Sequence, residues 1–226
     1  MFGSKLEVRR FEDRILKYEA LPVVKGKILF YGHSLFTRCS AITKHVDNPK
    51  LEDEVRMKDG SQAIVNHGFG SSSADDLLYY YDRMVRPYEP RALVLATLAN
   101  DIGYGYNAKD VMDVLARIIN WAQADFPGIK IYCFGGMPYL KGRDQIDNRW
   151  RIRQEFCEYL EDFCARTENC TYVPLQNQAF YYNDPADIGH YDKVREDIFC
   201  QDGIHFNPKG YALFMDFVRE LLDDLL

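Results

Sequence analysis

The chain lacks any apolar run approaching the ~20 residues that a membrane span needs. It also lacks a run of Lys or Arg. With a formal net charge of −6, this tells against nucleic acid as the main partner, because a phosphate backbone rewards cations. Six cysteines are present (Cys39, Cys133, Cys157, Cys164, Cys170 and Cys200), yet no two form a Cys-x-x-Cys pair. The histidines are His33, His45, His67, His190 and His205, and no two stand at zinc-ligand spacing with each other or with a cysteine. A metal-dependent hydrolase is therefore the least favoured enzyme class. The N-terminal stretch is studded with charge (Lys5, Glu7, Arg9, Arg10, Glu12, Asp13, Arg14) and has no apolar centre of the signal-peptide kind. The expected address is the cytoplasm, and the expected state of the thiols is reduced and mostly buried. Repeats, linkers and low-complexity segments are absent as well. The 226 residues, 47% hydrophobic and 27% charged, fit a single domain over 1–226 with a full core.

What is present is an alternation of short apolar runs and amphipathic stretches. The run over 27–32 reads as a buried parallel strand that ends in Gly32-His33-Ser34. Further strands are expected at 63–66, 92–97, 129–134 and 171–175. Helices are expected near 4–20, after the Gly68–Ser73 turn up to Pro87, and at 109–124, 148–167 and 209–225. Ser4 and Glu7 have the spacing of a capping box for the first helix, which should pack on the outside of the sheet. The stretch 176–201 shows little pattern beyond one helical turn near 192–198. Strands alternating with helices argue for an α/β domain around a parallel sheet.

Three polar segments fall just past expected strand ends: Gly32-His33-Ser34, Gly68-Phe69-Gly70-Ser71 and Asn100-Asp101. Parallel strands bring such segments to one sheet edge, where ligands of open α/β sheets bind. A fourth segment, Asp202-Gly203-Ile204-His205, comes late in the chain. Taken singly, each is more often a turn, a cap or a surface loop. Together they form the parts of acyl transfer. A serine hydroxyl needs a base, and His205 titrates in the right range. Asp202, three residues earlier, can hold the other ring nitrogen. The backbone N–H groups of the glycine turn and the Asn100 amide can hold an oxyanion. A Gly-x-Ser-x-Gly elbow is missing, which tells against the α/β-hydrolase route to this chemistry.

These blocks, in this order over about 27–220, resemble those of the SGNH (GDSL-type) hydrolases. The resemblance implies a three-layer α/β/α sandwich, flavodoxin-like, with a five-stranded parallel sheet of order 2-1-3-4-5. It also implies a serine esterase that needs no metal or other cofactor. Ser34 would be the nucleophile, His205 the base and Asp202 its orienter. The Ser34 N–H and the Asn100 side chain would serve the oxyanion hole. A second backbone donor would come from Gly70 or Ser71: an ungapped match to the family's block gives Ser71, and a one-residue shift gives Gly70. Three positions depart from the family pattern. His33 stands where an aspartate is usual, Leu98 where a glycine precedes Asn100 by two, and Ser71 where an ungapped match expects glycine. A position needing positive φ would disfavour the serine.

The short loops show no long apolar lid, so a small-molecule ester with a short acyl group, acetyl first, is the expected substrate. The resemblance points to esters of small or carbohydrate alcohols. Tyr104, Tyr106, Tyr139, Phe180, Tyr181, Tyr182 and Tyr191 fall in expected loops, where they either stack on sugar rings, line an acyl pocket or simply pack. Neither nucleic acid nor membrane is an expected partner. A homo-oligomer, through the first helix and exposed aromatics, is the one protein partnership left open. Rival readings are a thioesterase or lysophospholipase of the same fold, and a catalytically silent carbohydrate-binding module.

Overall fold

The computed structural model describes residues 9–140 and 148–226. The expected Ser4–Glu7 capping box lies outside them. Five strands are present: β1 (Ile28–Gly32), β2 (Ile64–Gly68), β3 (Ala92–Ala96), β4 (Lys130–Phe134) and β5 (Cys170–Val173). All pair in parallel in the order β2-β1-β3-β4-β5. The helices are α1 (Glu12–Glu19), α2 (Ser34–Thr37), α3 (Leu51–Glu54), α4 (Ala74–Met84), α5 (Ala99–Tyr104), α6 (Ala108–Asp125), α7 (Asn148–Ala165) and α8 (Pro208–Leu221).

β1 and β3 are buried on both faces, so both sets of alternating side chains are apolar. Leu29, Tyr31, Leu93 and Leu95 join the core under α1, α4, α6 and α7. Ile28, Phe30, Ala92 and Val94 join the core under α2, α3 and α8. The result is a three-layer α/β/α sandwich. α1 buries Ile15 and Tyr18, and the Tyr18 hydroxyl donates to the Gly68 carbonyl at the end of β2.

Local chemistry sets the helix ends. α6 starts on a capping box of Asn107 and Asp110. α8 starts with Asn207 accepting the Gly210 N–H and with Pro208 in the first turn, where no N–H is needed.

Four expectations are corrected. The first helix, expected over 4–20, begins at Glu12 among the described residues, because Arg9–Phe11 form a turn that leads into it, and it stops at Glu19. α5 stands where a loop is expected; it has only six residues and no apolar period, so pattern alone does not reveal it. The stretch after β5 holds 3-10 turns at Leu175–Asn177, Ala179–Tyr181, Pro185–Asp187 and Tyr191–Lys193, not one turn near 192–198. The last helix stops at Leu221, four residues short of the expected 225, and a 3-10 turn over Asp223–Leu225 follows. No helix among the described residues is long and apolar enough to cross a membrane.

The register aligns the ends of the central strands. Gly32 stands opposite both Gly68 and Ala96. Two residues further on, Ser34, Gly70 and Leu98 therefore share one edge of the sheet. At Gly68 a Cβ would lie 2.4 Å from the Thr37 backbone nitrogen. The missing side chain lets α2 settle across the end of β2.

Candidate active site

α2 is four residues long and is held from several sides. The His33 Nδ1 accepts the Leu35 N–H at 3.3 Å and so caps the helix. The Asn66 side chain donates to the Phe36 carbonyl at 3.0 Å and accepts the Gly68 N–H at 3.0 Å. The Tyr211 hydroxyl, from α8, donates to the Leu35 carbonyl at 3.1 Å. Ser34 is thus the first residue of a clamped turn, and its hydroxyl position is set by backbone rather than by its own contacts.

The loop before α8 is organised by Asp202. Its Oδ1 accepts the N–H groups of Ile204 and His205, both at 2.9 Å, which closes a tight Asx-type turn. Its Oδ2 lies 2.7 Å from the His205 Nδ1. The other ring nitrogen, Nε2, is 3.1 Å from the Ser34 Oγ. The structure brings together the three residues that the sequence singled out, from positions 34, 202 and 205. The Arg38 guanidinium also approaches Asp202, at 3.6 Å.

Burial alone would raise the Asp202 carboxyl, but the two N–H groups and the imidazole outweigh it and hold the acid at about 2. Burial pushes the His205 imidazole below its ordinary value; Asp202 pulls it back up, and Arg38 adds to the lowering. A neutral imidazole between a carboxylate and a hydroxyl can take a proton from the hydroxyl. His33 is 4% exposed and is pushed down to about 4, by burial first and by His205 second. A neutral ring suits its capping role. Where the family has an aspartate, an imidazole nitrogen accepts the N–H near the serine instead.

The other rim carries free donors. Among the described residues, no group accepts a hydrogen bond from the backbone N–H of Ser34, Gly70 or Ser71. Gly70 packs beside Ser34, where a Cβ would lie 3.6 Å from the Ser34 Cβ. Asn100 lines the cleft; one N–H of its amide is placed on the Ser72 carbonyl at 2.9 Å, which leaves the second.

Both departures from the family glycines sit in left-handed backbone: Ser71 has φ +68° and Leu98 φ +89°. Such conformations cost a non-glycine residue about 1–3 kcal/mol each. The serine expected to be disfavoured there is accommodated all the same. Its carbonyl accepts from Arg10 at 3.1 Å and from the Tyr104 hydroxyl at 3.0 Å. The Leu98 N–H donates to the Asp101 Oδ2 at 2.9 Å, while the Asp101 Oδ1 accepts the Ala74 N–H at 2.7 Å. Asp101 is buried, which raises its carboxyl to about 6 against the pull of these N–H groups.

Asp101, Arg10 and Tyr104 were not singled out as site supports from the sequence. For Asp101 a signal existed: an acid three residues into a helix, reaching back to the residue before it, is half of a capping box. For Arg10 none did, since only tertiary packing of the N-terminal segment brings it to the turn.

The cleft that opens on Ser34 has a volume of about 860 Å³. Of the seven loop aromatics, only Tyr139 is among its described lining residues. Tyr181 and Tyr182 are buried, Phe180 stacks on Tyr181 at 4.3 Å between centroids, and Tyr191 packs on Trp150 at 3.9 Å. Packing is the role of these four. Among the described residues, one side-chain group has the proximity for a metal: Cys133, Cys164 and Cys170, with their sulfurs within 4.8 Å of one another. They come from β4, α7 and the start of β5, and none lines the cleft. Strand pairing assembles them, so sequence spacing did not show them.

A family model described as "GDSL-like Lipase/Acylhydrolase family" matches residues 30–213. No curated protein matches the chain. Solved structures similar to it include a GDSL-like lipase from Bacteroides thetaiotaomicron (16% identity, TM-score 0.69, covering 97% of this chain and 100% of that one). A lipase/acylhydrolase from Enterococcus faecalis shares 19% identity with a TM-score of 0.66, covering 87% and 95%. The psychrotrophic esterase EstA from Pseudoalteromonas sp., in a structure inhibited by monoethylphosphonate, shares 15% with a TM-score of 0.65, covering 88% and 98%. At these identities the structural likeness speaks for the fold.

Proposed function

Because the chain belongs to the GDSL-like lipase/acylhydrolase family and is thereby a carboxylic ester hydrolase, we propose that it cleaves short-chain esters through an acyl-enzyme on Ser34. Acetyl esters of small or carbohydrate alcohols are the first candidates. The observation that carries the reading is the relay from Asp202 through His205 to Ser34, at 2.7 Å and 3.1 Å.

In this mechanism the Ser34 Oγ attacks the ester carbonyl as its proton passes to the His205 Nε2. The C=O electron pair moves onto oxygen. The oxyanion is held by the Ser34 N–H, by the Gly70 or Ser71 N–H, and by the free N–H of Asn100. When the tetrahedral adduct collapses, the imidazolium gives its proton to the departing alkoxide. Water then enters by the same base, and its proton returns to Ser34 as the acid leaves. Asp202 stays ionised throughout and fixes the tautomer with Nδ1 protonated.

A short acyl group fits the walls. The apolar lining residues, Leu35, Ile42, Met137, Ile204 and Phe206 among them, are interspersed with charged and polar side chains. A long alkyl chain would have to lie against those groups. The test is a series of p-nitrophenyl esters from acetate to decanoate. The expected result is the highest kcat/KM at acetate and butyrate. A rise toward decanoate would move the reading to lipid or thioester substrates, and no turnover of any ester would favour a binding module.

The base also predicts a pH profile. His205 works only when neutral, and burial lowers its proton affinity. The acidic limb of kcat/KM is therefore expected to have its midpoint below the ordinary imidazole value of about 6.5. Activity should fall as pH drops through that midpoint. A limb centred clearly above 6.5 would mean that another group is the base or that Asp202 dominates His205.

A further inference from the structure

The cleft at Ser34 has the opposite charge from the protein around it. The chain carries a formal net charge of −6. Yet Arg14, Lys17, Arg38, Lys44 and Arg149 line the cleft with His45, and none of its described lining residues is Asp or Glu. Three separate parts of the fold supply these cations: α1, the loop from Arg38 to His45, and the start of α7. A stripe on one exposed helix would be an ordinary solvated face. Convergence from three segments around one serine is not explained that way.

Surface cations divide into paired and unpaired ones among the described residues, and Arg14, Lys17 and Lys44 are unpaired, as Lys27, Arg117 and Lys193 are elsewhere on the surface; what sets the first three apart is that they face one cleft. Arg83, Arg86, Lys109, Lys130 and Arg195 each hold a carboxylate. Arg14, Lys17 and Lys44 take part in none of the ion pairs or side-chain hydrogen bonds among the described residues. The His45 imidazole reports the local field: it is pushed down by burial first, then by Arg38, Lys44 and His205. A concave site with one sign of charge on its walls concentrates the opposite ion and speeds its capture.

We propose that the natural ester is anionic: a short acyl group on a carbohydrate alcohol that carries phosphate or carboxylate groups, which Arg14, Lys17 and Lys44 receive. This inference rests on the esterase reading of Ser34 and names its substrate class. Either anion presents oxygens that accept from guanidinium and ammonium donors. Arg38 lies against Asp202, but Arg14, Lys17 and Lys44 make no hydrogen bond or ion pair with Ser34, Asp202 or His205 among the described residues, and they act on binding and capture. Their effect belongs in KM and kcat/KM more than in kcat.

The test compares O-acetyl glucose 6-phosphate, O-acetyl galacturonic acid and O-acetyl glucose at low and high salt. The expected result is a kcat/KM for at least one charged ester about 10-fold or more above the neutral one at low salt, shrinking in 0.5 M NaCl. Which charged ester leads separates phosphate from carboxylate. The triple variant R14Q/K17Q/K44Q should lose most of that ratio through KM, whereas K109Q, remote on α6, should keep it. A charged-to-neutral ratio near one, with p-nitrophenyl acetate turned over normally, would overturn the inference and leave the esterase reading standing. If no ester is turned over, the esterase reading fails by itself. Calorimetric titration of the wild type and the triple variant with glucose 6-phosphate and galacturonic acid then decides the charge question without turnover. Binding weakened at least several-fold in the variant supports it, and equal or absent binding refutes it.

Discussion

Replacing Ser34 by alanine is expected to lower kcat for p-nitrophenyl acetate by about 10⁴-fold or more, the scale seen when an acyl-transfer nucleophile is removed. The fold should survive the change. The only side-chain hydrogen bond of Ser34 among the described residues is to the His205 Nε2. α2 itself is pinned through backbone groups by His33, Asn66 and Tyr211. The melting temperature should therefore move by no more than about 2–4 °C. Kinetics and thermal unfolding on the same preparation make the check. A variant that keeps its melting temperature and more than a tenth of its turnover would place the nucleophile elsewhere. Residual hydrolysis far below that level is expected, because the oxyanion donors still stand around the bound ester.

The second large effect is expected at Asn100. Its alanine variant should lose about 10²–10³-fold in kcat with KM little changed, the usual result of removing one oxyanion donor. The asymmetry follows from charge development: the carbonyl oxygen becomes an anion only in the transition state, so the lost N–H is missed there and not in the ground state. Asn100 also holds the Ser72 carbonyl at 2.9 Å. A purely structural role would therefore show as lower stability and a raised KM, with kcat spared. Steady-state kinetics read beside a denaturant melt tells the two apart. An Asn100→Asp variant, similar in shape but without a donor, should be at least as impaired as the alanine.

Much of this arrangement is legible in the amino-acid sequence. The five apolar runs mark the strands because a parallel sheet buries both faces, leaving little room for polar residues. The residues Ser34, Asp202 and His205 stand out because each follows a structural break and has a chemistry that needs the others. What remained hidden has a common cause: it depends on contacts between distant segments. α5 exists because Asp101 takes the Leu98 N–H and Gly105, at φ +89°, closes the helix end. No periodicity announces it. Ser71 and Leu98 occupy backbone that glycine would fill without strain, and what sustains them comes from Arg10, Tyr104 and Asp101. The pattern of the N-terminal helix predicts an outer layer, yet Arg14 and Lys17 stand on the cleft wall. Its amphipathic period shows which face is buried, not what the ends of its long cations reach.

The hydrogen bond between His205 and Ser34 joins positions 171 residues apart, and the Tyr211 bond to Leu35 spans 176. About three quarters of the 226-residue chain is one closed loop between Ser34 and His205. Closing so long a loop is entropically late, and contacts of this separation slow folding. Helical signal can return while the β-core is still forming, but ester turnover requires α8 to have docked across α2. Recovery of activity after dilution from denaturant is therefore a reporter on the final assembly step. A chain emerging from synthesis carries its serine long before it carries the means to use it.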